Sequence, residues 1–137
     1  MRFDLPFERI YPHPLAKVWQ ALTDPAALGV WLMKTDFAAK IGQAFRMWCD
    51  DGQGGTDLYL CKVLELEPRH RMVWSWVLDG QRAAGATIVE FQLAEVPGGT
   101  RLTIRHTGDR DPDTVERFQS GWPAKLDTLE QSLSKAK

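Results

Sequence analysis

Histidines and cysteines are the side chains of this sequence best suited to acid–base, nucleophilic or metal chemistry, and their settings separate them. His13 stands where a helix is expected to start and His70 in an expected turn, whereas His106 shares one face of an alternating strand with Leu102 and Ile104. His106 is therefore the candidate acid or base, placed near the mouth left by the last loop, where it could also bond a ligand carbonyl. Its competing role is that of a core histidine satisfied by a carbonyl or hydroxyl. Cys49 and Cys61 lie in strand-like contexts without CxxC or metal spacing and read as reduced, buried thiols. Tyr59 is a second polar candidate, and Arg9 is expected to pair with a carboxylate at a strand edge. No metal ligand set, nucleophile elbow, P-loop or dinucleotide fingerprint is present, so no cofactor is expected. Gly52–Gln53–Gly54–Gly55 reads as a hairpin turn, not a phosphate cradle.

Length and charge narrow the classes further. A chain of 137 residues fits one domain over 1–137 with a single core. A formal net charge of −1 gives no field to draw nucleic acid. No apolar run reaches the roughly 18 residues of a membrane-spanning helix, and the first residues lack a signal-peptide core. A cytoplasmic protein without membrane insertion is the expectation.

The elements that must carry these residues follow from periodicity. Residues 2–11 read as an edge strand with Phe3, Leu5 and Phe7 on one side, limited by Pro6 and Pro12. Pro14 is expected at the first position of a helix bearing Leu15, Val18, Trp19 and Leu22. Asp24–Pro25 caps a second short helix with Ala26, Leu28 and Trp31, ending near Met33. The period then changes to two. A short strand over Lys34–Ala38 is followed by strands over 43–49, 56–67, 71–78, 86–96 and 100–107, with loops at 50–55 and 79–85. Asp111–Pro112 opens a last helix whose stripe is Val115, Phe118, Trp122, Leu126, Leu129 and Leu133. Pro123 within Gly121–Trp122–Pro123 should either kink this helix or divide it near Ser120.

Facing follows from alternation. Met72, Trp74, Trp76 and Leu78 share one face, as do Val89, Phe91 and Leu93, and Phe45, Met47 and Cys49, with Trp48 outside. Strand 56–67 offers Tyr59, Cys61 and Val63 against Leu58, Leu60, Leu64 and Leu66, and a bulge that switches faces would reconcile them. The six tryptophans include Trp31, Trp74, Trp76 and Trp122, all directed between sheet and last helix. They either fill the core or wall a cavity. The candidate ligand-binding set is accordingly Trp31, Phe45, Met47, Tyr59, Trp74, Trp76, Phe91, Ile104, His106, Phe118, Trp122 and Leu126.

Arg9–Ile10 and Pro14, then Val18–Trp19–Gln20–Ala21–Leu22–Thr23–Asp24–Pro25 and Trp31, resemble the opening of the activator-of-Hsp90-ATPase-homologue-like proteins. The likeness continues through Gly42 and Phe45, Val63–Leu64–Glu65–Leu66–Glu67–Pro68, Val73–Trp74–Ser75–Trp76 and Gly98–Gly99–Thr100–Arg101–Leu102–Thr103. It closes with Gly121–Trp122, Leu126, Leu129 and Leu133. Departures are Cys61, in place of a glycine frequent in the family, and the short loop at 79–85. The resemblance implies an α+β helix-grip fold of the START-like (SRPBCC) superfamily. In that fold a curved antiparallel sheet of about six to seven strands wraps a long C-terminal helix, with two short helices after strand 1. Residues and resemblance together leave three functions that fold alone does not separate. These are binding of a small hydrophobic or aromatic molecule, stimulation of a chaperone ATPase as partner, and catalysis through His106 on an aromatic or polyketide-like substrate.

Overall fold

The computed structural model describes residues 1–50 and 53–135. Strands β1 (Arg2–Tyr11), β2 (Lys34–Thr35), β3 (Ala44–Asp50), β4 (Thr56–Glu67), β5 (Arg71–Leu78), β6 (Thr87–Val96) and β7 (Gly99–Asp109) form one sheet. Their order is β1-β7-β6-β5-β4-β3-β2, antiparallel at every pairing, so β1 is an edge as its prolines require. Helices α1 (Leu15–Thr23) and α2 (Pro25–Trp31) follow β1, and α3 (Pro112–Lys135) closes the chain across the inner face. This is the helix-grip arrangement.

Local chemistry sets the helix starts. The Asp24 carboxylate accepts from the Ala27 amide at the head of α2, with Pro25 at the first position. Asp111 does the same for α3, accepting from the Thr114 amide and hydroxyl. At α1 the expectation shifts by one residue: Pro14 is the cap and Leu15 the first helical residue. Helix α2 stops at Trp31, short of Met33, and its Ala26 is exposed. Strand β2 is only two residues long, because the chain turns inward to bury Phe37. The loop expected over 79–85 contains a short three-ten helix, Asp79–Ala84. Part of the glycine-rich connection at 50–55, namely Asp51 and Gly52, lies outside the described residues, and Asp50 pairs with Thr56 across it.

Pairing with β5 resolves the ambiguous strand. The register shifts between Val63 and Glu65, so Tyr59, Cys61 and Val63 face inward before the bulge and Leu66 packs on the core after it. Leu64 at the shift is exposed. Helix α3 runs unbroken through Pro123, which excludes a division near Ser120. The carbonyl deprived of its donor belongs to Gln119, an exposed residue, and water can serve it there.

Long-range polar contacts help to seat α3. The Tyr11 hydroxyl donates to the Leu126 carbonyl at 3.0 Å, and Lys125 donates to the Leu32 carbonyl at 2.8 Å. Arg9 pairs with Asp127 at 2.6 Å, so its carboxylate stands on the helix and not at the strand edge. Trp48 lies on the outer face as expected, half-buried, with the Arg46 guanidinium 5.0 Å from its ring centroid.

Gly99 is the tightest point of the β1–β7 closure. A Cβ there would lie 1.9 Å from the Tyr11 carbonyl oxygen. Gly99→Ala should therefore destabilise the fold by about 1–3 kcal/mol or more, measured by urea unfolding. A loss below half a kcal/mol (about the noise of surface substitutions) would show that β1 is not held this closely.

Candidate functional site

A neutral histidine organises the middle of the molecule. His106 is completely buried, edge-on to Phe3 and packed on Phe118 at a centroid distance of 4.4 Å. The indole N–H of Trp122, which can only donate, gives its hydrogen to His106 Nδ1 at 3.1 Å. The proton of the imidazole must then sit on Nε2, which donates to Thr87 Oγ1 at 2.8 Å. Thr87 passes its own hydroxyl hydrogen to the Trp76 carbonyl, also at 2.8 Å. Burial, and after it the charge of Arg110, pushes the His106 pKa down to about 3. The expected place near a mouth is thus corrected: His106 is a core histidine with both nitrogens engaged.

Much of the expected gap between sheet and helix is filled. Phe37, Phe45, Trp74 and Phe91 form a contiguous ring cluster, with Trp74–Phe91 centroids 4.7 Å apart and Phe37–Phe45 5.0 Å. Trp31, Met47, Ile104 and Leu126 are fully or almost fully buried in the same core. Trp31 is anchored by its N–H on the Ala21 carbonyl at 2.8 Å. Phe37 was not among the expected residues; the short strand expected over Lys34–Ala38 ends at Thr35, before it.

A pocket of about 300 Å³ remains at one end, between β3–β5, the three-ten helix and the first half of α3. Its apolar walls include Leu32, Met33, Tyr59, Trp76, Phe118 and Trp122, and Asp50, Asp57, Gln81, Arg110, Arg117 and Lys125 add polar and charged groups. Of the twelve candidate residues, Tyr59, Trp76, Phe118 and Trp122 meet here. His106 stands behind the wall, holding Trp122 and Thr87, both of which line the pocket. The other seven belong to the packed core. Burial raises the Tyr59 pKa, which keeps its hydroxyl neutral. The buried N–H of Trp76 finds no acceptor among the described residues, nor does that of Trp74 away from the pocket. Cys49 touches the pocket, while Cys61 is buried and its thiol pKa is pushed up to about 12.

Thr114, Arg117, Gly121 and Lys125 were missed, although one signal could have found them. They run three to four residues apart, one position beside the apolar stripe of α3, and so share its pocket-facing side. Among the described residues no group of three or more His, Cys, Asp or Glu could hold a metal ion. No helix among them is long and apolar enough to cross a membrane.

Sheet, gripped helix and end pocket together define a START-like domain of the SRPBCC type. Residues 12–134 match the family described as activator of Hsp90 ATPase homolog 1-like protein, and the chain belongs to that family. The structure is similar to that of MLL2253 from Mesorhizobium loti, 33% identical with a TM-score of 0.87, over 98% of this chain and 99% of that one. CV1439 from Chromobacterium violaceum is 25% identical with a TM-score of 0.86, over 97% and 98% of the two chains. DynU16, a protein in the dynemicin biosynthetic locus, is 25% identical with a TM-score of 0.81. The match covers 98% of this chain and 48% of DynU16, so this chain spans about half of it. No curated protein matches.

The His106 network makes two predictions. Its folded pKa lies below the unfolded value of 6.5, so the unfolded chain binds the proton more readily. The associated stability is complete above pH 6.5 and is lost as the pH falls toward about 3. Unfolding free energies should drop by on the order of a few kcal/mol across that window. His106→Asn should flatten the part of this loss that lies above the carboxylate range. An imidazole titrating near 6.5 by NMR in the folded protein would contradict the buried neutral ring. Trp122→Phe keeps an aromatic ring but strips Nδ1 of its donor, and should cost about 1–3 kcal/mol by denaturant unfolding.

Proposed function

We propose that this protein binds a small hydrophobic molecule with an aromatic or similarly bulky body in the pocket between sheet and α3. The observation that carries this reading is the roughly 300 Å³ space walled by Tyr59, Trp76, Phe118 and Trp122. Ligand sites are concave and mostly apolar, with a few placed polar groups, and span about 300–1,000 Å³. Binding, not turnover, is the reading: the one histidine near the site already spends both nitrogens on the protein. The similar DynU16, a protein in the dynemicin biosynthetic locus, agrees with this class of function.

Gly121 supplies the test. It lies in the pocket wall on α3, and a Cβ built there meets nothing within 4 Å. Gly121→Leu should fold, because leucine favours helix over glycine by most of about 1 kcal/mol, while its side chain occupies the pocket. Uncharged N-phenylnaphthylamine should fluoresce with the wild-type protein, raise its melting temperature and fail to bind the leucine variant. Equal fluorescence with both proteins would place the probe elsewhere and remove this reading.

A further inference from the structure

Arg110 is the most deeply buried cation described, with only 7% of its surface exposed, and it lines the pocket. Most other arginines of the fold have an acidic partner: Arg9, Arg46, Arg71, Arg82, Arg101 and Arg105 all form ion pairs. Arg110 has none among the described residues. Its guanidinium donates to two backbone carbonyls, Asp109 at 2.7 Å and Gly85 at 2.6 Å. The neighbouring carboxylates are engaged elsewhere. Asp109 meets the Met1 amino group at 3.0 Å, and Asp111 caps α3 through Thr114.

Carbonyl dipoles satisfy hydrogen-bonding capacity without supplying a counter-charge. A guanidinium has five N–H donors, so this one keeps capacity beyond its two bonds. Buried charge is normally paired, and a fork of donors is the preferred receiver for a carboxylate or similar oxyanion. Arg117 adds a second guanidinium to the same wall. It donates to Thr114 Oγ1 at 3.1 Å, forms no ion pair among the described residues, and is partly balanced by the field of Asp111. Lys125 adds an ammonium bonded to the Leu32 carbonyl. Among the described residues the acidic groups of the pocket, Asp50 and Asp57, belong to β3 and β4. The two signs therefore belong to different walls.

We infer that the pocket selects amphipathic anions: an apolar or aromatic body against Trp76, Phe118 and Trp122, and a carboxylate, sulfonate or comparable oxyanion received by Arg110 with Arg117. The inference rests on the pocket being a ligand site and adds the chemistry of what it accepts.

Two fluorescent probes with one skeleton separate these claims: anilinonaphthalenesulfonate, which is anionic, and neutral N-phenylnaphthylamine. Wild-type protein should bind the sulfonate about tenfold more tightly, the scale of a hydrogen bond to a charged group. Added salt should weaken the sulfonate alone. Arg110→Gln, checked for a cooperative melt, should cancel the difference by weakening the sulfonate about tenfold more than the neutral probe. Should that variant not fold, Arg117→Gln at an exposed position should cause a several-fold loss for the sulfonate only. Equal wild-type affinities, or equal losses for both probes in a folded arginine variant, would overturn charge selection and leave the pocket standing. Binding of neither probe, or binding indifferent to Gly121→Leu, would overturn the ligand-site reading as well.

Discussion

The polar chain from Trp122 through His106 and Thr87 to the Trp76 carbonyl is the constraint around which this domain is arranged. It joins α3 to three strands in one line, and every link has a single permitted direction because indole can only donate. Apolar contact alone would let α3 slide or rotate over the curved sheet at small cost, since hydrophobic burial is non-directional. The chain fixes both the height and the rotation of the helix at Trp122. It also keeps the imidazole neutral, so that no uncompensated charge enters the centre of the core. Tyr11 on the Leu126 carbonyl applies the same principle one turn further along.

Alternation and capping made the order of elements legible before any coordinates. Asp24–Pro25 and Asp111–Pro112 announce helix starts because their chemistry is local, as does the change of period after α2. Features set by distant partners were not legible. The bulge near Leu64 could be suspected from a strand with too many apolar residues, but its place depends on the register with β5. Arg9 has no sequence neighbour that reveals Asp127, which lies on the far end of the chain. Pro123 gave an ambiguous signal for a similar reason. Whether a helix survives a proline depends on what happens to the abandoned carbonyl, and only the fold shows that Gln119 is exposed.

The candidate site was legible in direction and not in depth. Periodicity correctly turned Phe45, Trp74 and Phe91 inward, yet inward-facing rings can either touch or leave space. Phe37, which sits on no regular strand, completes the contact and makes that end solid. At the opposite end the helix presents Gly121, with no side chain to fill the space, and the sheet side ends in the short helix at 79–84. The pocket is thus a consequence of where a side chain is missing, a quantity that alternation does not encode. Charged wall residues escaped notice because an arginine in a polar segment reads as solvated until its burial is known.

Position and charge together bear on how an occupant would be received. The floor of the pocket is rigid, for Trp122 and Thr87 are both held by His106 and Trp76 packs on Trp122 with centroids 5.7 Å apart. One wall is formed by α3 and by Arg110, two residues before it, and carries the cations; β3 and β4 bring Asp50 and Asp57. A neutral apolar guest would gain contact with the rings but would leave Arg110 without a counter-charge. On the proposed reading, a guest with an oxyanion at one end would satisfy the rings and the guanidinium together, and the aspartates would disfavour the reversed orientation. Since a charged group pointing the wrong way costs more than a lost contact, such an arrangement would specify orientation more strongly than the body of the guest.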